Sequence, residues 1–175
     1  MVIATDVQGA EVAKPWVEKA GGTYRALLDQ DNTIGNTFGV KYVPVGILID
    51  EDGRLVKDVA SVNIGDYAFR QDLERWATEG MPDGWSADKP AKRVDRTPEE
   101  EEADARFQLA VVLLKRGKKE QAIAEFQAAM LLDPQNWLIR KQLWAIQTPD
   151  AFYADDVDYS WQKAQLEREQ ELIEK

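Results

Sequence analysis

The stretch Val40-Lys-Tyr-Val-Pro-Val-Gly-Ile-Leu-Ile-Asp-Glu-Asp-Gly-Arg-Leu-Val56 limits the fold more than any other part of the chain. Val45 to Ile49 is a short apolar run rich in β-branched residues, the length of a buried strand. Asp50-Glu51-Asp52-Gly53 reads as a turn, because Asp tolerates the left-handed region and Gly supplies a positive φ without a steric penalty. Arg54 to Val59 returns as a second strand. Pro44 stands directly before the first strand, where its missing N–H costs no ladder bond. An X-Pro bond adopts the cis form at modest cost. A plain strand-entry proline is the alternative, but the hairpin favours a cis Val43–Pro44 bond that shapes a cleft.

The segment from Phe38 to Val56 resembles the cis-proline hairpin of the thioredoxin-like redoxins, the thiol–disulfide oxidoreductase and peroxiredoxin-related class. In that family the residue-plus-proline pair, here Val43 and Pro44, faces a Cys-x-x-Cys motif. This chain has no Cys, so the catalytic half of the resemblance is missing from it.

Composition narrows the function classes. The 175 residues are 44% hydrophobic, enough to fill a core, and carry a formal net charge of −10. That charge argues against nucleic acid or an anionic membrane surface as a partner. Without Cys or His there is no thiolate, no disulfide and no imidazole base or metal ligand. No cofactor is expected. No run approaches the roughly 20 apolar residues of a membrane span. Met1 to Asp6 is too short and too acidic for a signal peptide, and no targeting segment is legible.

Taken in order, Val2 to Val7 reads as a strand. Ala10 to Ala20 reads as a helix with Val12, Ala13, Trp16, Val17 and Ala20 at helical spacing. Pro15 inside it implies a late start or a kink. Gly21-Gly22 closes it. Tyr24 to Leu28 is extended, and Asp29 to Asn32 is a turn that caps a short helix through Thr37. Asp66 caps a helix over Tyr67–Thr78 whose inner face carries Phe69, Leu73, Trp76 and Ala77. The order of elements over residues 1–80 suits a partial thioredoxin-like domain. The fold class expected is therefore α/β thioredoxin-like, lacking the first central strand and the Cys-x-x-Cys helix, followed by an all-α helical-repeat module.

Residues 81–98 lack periodicity and read as a linker. Glu99 to Glu102 opens the next helix and complements its positive end. Within residues 99–147, Leu109, Ala110 and Leu113 line one helix. Gly117 breaks the chain. Ala122, Phe126 and Ala129 line a second helix, and Asp133-Pro134 stops it. Small residues at Ala110, Ala122 and Ala129 let the helices approach, with Phe126 between them. This pattern resembles one tetratricopeptide repeat. The alanines, Phe126 and Pro134 fall at the family's positions, whereas Arg106 stands at its early Trp position and Ala110 at its Gly. Trp137 to Ile146 reads as a further helix, with Leu138, Leu143 and Trp144 or Ile146 inward. It is either the first helix of an incomplete second repeat or a cap over the first. Residues 148–175 comprise an irregular stretch and a charged helix whose sparse apolar positions, Trp161, Ala164, Leu172 and Ile173, predict weak packing.

Few residues invite chemistry. Trp16, Trp76 and Phe38 are expected in the core. Trp85, Trp137, Trp144 and Trp161 suit a binding surface or, with greater weight, packing between the repeat and its cap. Asp6, Asp29, Asp31, Asp50 and Asp52 offer an acid pair or cation site, but they fall where Asp is favoured for backbone reasons. No catalytic, cofactor-binding or metal-binding residue is identified. The expected function is non-catalytic protein–protein interaction, with a protein or peptide partner held by the helical repeat. The alternative is the C-terminal portion of a redoxin whose cysteines lie upstream. The redoxin resemblance implies a reading frame that continues upstream of Met1 and a strand edge left unpaired, which invites self-association.

Overall fold

The computed structural model describes residues 1–85, 95–154 and 157–173. Residues 86–94 of the expected linker lie outside them, as do 155–156 of the irregular stretch and the side chains of Leu172 and Ile173. The described elements are β1 (Val2–Ala4), α1 (Ala10–Lys19), β2 (Ala26–Leu28), α2 (Thr33–Phe38), β3 (Val45–Ile49), β4 (Leu55–Ser61) and α3 (Tyr67–Thr78), followed by α4 (Pro98–Lys115), α5 (Lys119–Leu132), α6 (Trp137–Gln147), α7 (Asp150–Tyr153) and α8 (Tyr159–Ile173). The fold is mixed α/β and mostly helical, with two small sheets among the described residues. Two compact units divide it. One joins Met1–Asn32 with Thr97–Lys175, and the other is Thr33–Arg96. This grouping differs from the consecutive domains 1–80 and 99–147, because the first 32 residues pack with the helices.

In the Thr33–Arg96 unit, β3 and β4 form an antiparallel hairpin with register shifts between Gly46 and Ile49. Asp50 builds the turn. Its Oδ1 accepts from the Asp52 and Arg54 N–H groups at 3.0 and 2.7 Å. Gly53 takes a φ of 78°, a conformation that favours glycine. The Val43–Pro44 peptide is cis. Asp66 caps α3 by accepting from Ala68 and Phe69 N–H. Neither Phe38 nor Trp76 is fully buried. Trp76 meets Trp85 edge-on at 5.7 Å, and Lys57 lies over the Trp85 ring. The buried residues here include Val40 and Val56.

In the other unit, β1 and β2 pair in parallel from Val2↔Ala26 to Ala4↔Leu28. The strand ends at Ala4, not Val7, because the main-chain groups beyond it find side-chain partners instead of a ladder. Helix α1 runs through Pro15 without a late start, and none of its residues is buried. Trp16 is therefore half-exposed rather than core. Helix α4 begins with a capping box. Thr97 Oγ1 accepts from Glu100 N–H, and Glu100 accepts from Thr97 N–H. Glu99, Glu100 and Glu101 fill its first turn. Helices α4 and α5 pack together, and α5 packs on α6. The core of this unit contains Phe107, Ala110, Val111, Ala122, Phe126, Ala129, Ile139, Leu143 and Ile146.

The expected repeat-packing residues are found in these places. Ala110, Ala122, Phe126 and Ala129 are fully buried, and Leu113 packs against them. Pro134 follows α5, and its carbonyl accepts from Arg140 Nη1. Leu109 departs from expectation at 46% exposed. Its neighbour Ala110 takes the inward position, and the 100° step per residue turns Leu109 outward beside Val112. Helix α8 is also anchored more firmly than its sparse apolar positions predicted. Glu169 pairs with Arg140 at 3.1 Å, and Trp161 meets Trp144 edge-on at 5.8 Å.

Candidate functional site

Val43 and Pro44 lie at the surface before β3, with Val43 50% exposed. The five candidate aspartates fall in two places. Asp50 and Asp52 belong to the hairpin turn of one unit, while Asp6, Asp29 and Asp31 follow β1 and β2 in the other. Asp31 pairs with Lys115 at 2.7 Å. Among the described residues, no three His, Cys, Asp or Glu side chains gather where a metal ion could be held. No helix among them is long and apolar enough to cross a membrane.

The most elaborate polar arrangement lies where the loop after β1 meets α6 and α7. Gln142 is buried on the inner face of α6, between Ile139 and Ile146. A buried amide needs partners for both its ends. Its Oε1 accepts from Val7 N–H at 3.0 Å, and its Nε2 donates to the Thr5 carbonyl at 3.1 Å. The Val7 carbonyl accepts from Gln30 Nε2 at 2.9 Å. The Val7 side chain, 1% exposed, joins the core of the helical module. Between these contacts the chain turns. Gly9 N–H donates to the Asp6 carbonyl, and Gln8 N–H donates to Asp6 Oδ1. Gly9 takes a φ of 101°, and a Cβ there would lie 3.3 Å from Gln30 Nε2.

Tyr153 completes the arrangement from α7. Its hydroxyl donates to Asp6 Oδ2 at 2.8 Å and accepts from Gln8 Nε2 at 2.8 Å. Burial raises the Asp6 pKa, and the bonds from Tyr153 and Gln8 oppose that rise. Burial, together with the Asp6 charge it faces, pushes the Tyr153 hydroxyl well above its usual range. Both folded pKa values thus exceed the unfolded ones. For Asp6, the contribution to stability is full below pH 3.8, its ordinary value, and is lost as pH rises through the raised one. For Tyr153, it is full below pH 10 and is lost above it, where the unfolded chain ionises and the folded chain resists. Tyr153→Phe is expected to cost about 1 kcal/mol near pH 7, as one net hydrogen bond does. The gap to the wild type should narrow above pH 10. Denaturant unfolding of both chains from pH 7 to 11 checks this, and a gap independent of pH would count against the pairing.

Sequence reasoning identified Asp6 but missed Gln142 and Tyr153. The legible signal for Gln142 was a polar residue on the apolar face of Trp137–Ile146. For Tyr153 there was none, because its partners lie about 145 residues away. Compared with known proteins, the chain matches no family model, no curated protein and no solved structure.

Proposed function

We propose that this chain is a non-catalytic protein-interaction protein, a thioredoxin-like remnant joined to a tetratricopeptide-like module that holds a protein or peptide partner. One observation carries the reading. Helices α6 and α7 already grip a polypeptide segment remote in sequence by its main chain and its carboxylate, through Gln142 and Tyr153. Main-chain bonds with a buried side chain are the means by which proteins hold peptides. Helix α4 also presents Leu109 and Val112, 46% and 43% exposed, on its outer face. The chain itself contains no Cys and no His for thiol or imidazole chemistry.

The β3–β4 hairpin favours a second reading, that of the C-terminal portion of a redoxin-type thiol–disulfide oxidoreductase with cysteines outside this sequence. A peptide array separates the readings. On an array of short peptides, the full chain should bind a subset saturably, with Kd in the micromolar range, and the absence of any peptide binding would favour the second reading. With insulin or peroxide as substrate, it should show no turnover above buffer, because it carries no Cys, and turnover by this polypeptide alone would overturn the non-catalytic reading.

A further inference from the structure

The turn Thr5–Gly9 is bound by the helices as a ligand would be. From the helices, its main chain is read by one amide, while Gln30 after β2 holds the Val7 carbonyl. Gln142 spans the Thr5 carbonyl and the Val7 N–H, and both ends of that buried side chain are satisfied by the turn. Such contacts accept any residue type, so selectivity falls to the side chains. Asp6 meets a hydroxyl donor, Tyr153. Val7 enters the apolar cluster that includes Phe107, Ile139 and Leu143, a space suited to a β-branched aliphatic side chain. Gly9 supplies the positive φ that closes the turn.

We infer that the α6–α7 surface is a receptor for an acidic turn of the form Asp–(Val or Ile)–x–Gly, and that Thr5–Gly9 occupies it in the free protein. A partner carrying that turn binds by displacing this segment. The inference rests on the reading of the helical module as protein-binding. The pairing of α4 with α5 and of α5 with α6 around Phe126 is made by residues outside Thr5–Gly9. Self-occupation lowers the apparent affinity for an outside ligand by the fraction of molecules that are open.

Two measurements on the full chain test this. The first is amide hydrogen exchange in the wild type. Val7 should exchange through a local opening at least about tenfold faster than Phe107 and Leu143, and with little denaturant dependence. Exchange of all three at one common rate would make Val7 an integral core residue and overturn the inference. The second measurement is binding of the capped peptide Ala4–Ala10. Val7→Asp, which cannot fill the apolar space in cis, should bind it at least about tenfold more tightly than the wild type does. Adding Gln142→Leu to that variant should abolish the gain. Equal affinity in wild type and Val7→Asp, or a gain that survives Gln142→Leu, overturns the inference. A chain that binds array peptides while failing these tests retains the interaction function and loses only the self-occupied receptor. A chain that binds no peptide loses both.

Discussion

Phe126→Ala lowers the stability of the helical module by about 3–5 kcal/mol, the range for truncating a large aromatic in a core. The cost should fall at the upper end for a local reason. Phe126 is fully buried, and so are Ala110, Ala122 and Ala129. Alanines have no rotamers with which to fill a void, so relaxation would require movement of the α4 and α5 backbones. Phe107 meets Phe126 edge-on, with ring centroids 5.2 Å apart, and that contact is lost as well. Leu109→Ala provides the contrast. At 46% exposed, Leu109 surrenders only part of a leucine's burial, and alanine is the better helix former, so the loss should stay under about 1 kcal/mol. Denaturant unfolding followed by tryptophan fluorescence measures both. Equal losses at the two positions would mean that Phe126 does not hold the helix pair together.

The helical module was largely legible because its determinants are local. Helical spacing marks the small residues Ala110, Ala122 and Ala129, and Gly117 and Pro134 punctuate the helices. Spacing alone missed Leu109, because Ala110 and Val111 centre the inner face of the helix and the 100° step per residue then carries Leu109 and Val112 to its outer side. The hairpin was legible for the same reason: Asp50 and Gly53 determine the turn through their own backbone bonds. The Tyr67–Thr78 cap at Asp66 was equally local. What sequence reasoning could not supply was which remote segments meet. The first 32 residues pack with the helices through Val7, Gln142 and Tyr153. These are single side chains, each ordinary in its own neighbourhood. The strand beginning at Val2 was read as running to Val7 because Thr5 and Val7 favour strands. Tertiary bonds to glutamine amides overrode that preference.

Glu169→Ala should cost roughly 3 kcal/mol, although Glu169 looks in sequence like one more charge on a solvated helix. The carboxylate lies where α8 covers α6. Its Oε2 accepts from Arg140 Nε at 3.1 Å, with side chains only 9% and 13% exposed, and its Oε1 accepts from Trp144 Nε1. Arg140 has two further contacts, the Pro134 carbonyl at 2.9 Å and the face of Trp137 at 5.0 Å. Neither carries a negative charge. Deleting Glu169 leaves the guanidinium desolvated without a counter-charge among the described residues and the Trp144 N–H without its acceptor. Breaking a buried pair from one side costs about 3–5 kcal/mol, and partial exposure places this pair at the lower end. Replacing both partners removes the unpaired charge. Arg140→Met combined with Glu169→Met should therefore cost less than Glu169→Ala alone, although it changes two residues. Glu169→Gln, which keeps an oxygen for Trp144 but loses the charge, should fall between the wild type and Glu169→Ala. Unfolding free energies of the four chains decide the matter. If the double variant is the least stable, the pair stabilises the contact by its own attraction. If the single deletion is, the pair serves mainly to neutralise Arg140, and α8 owes its position to the tryptophans.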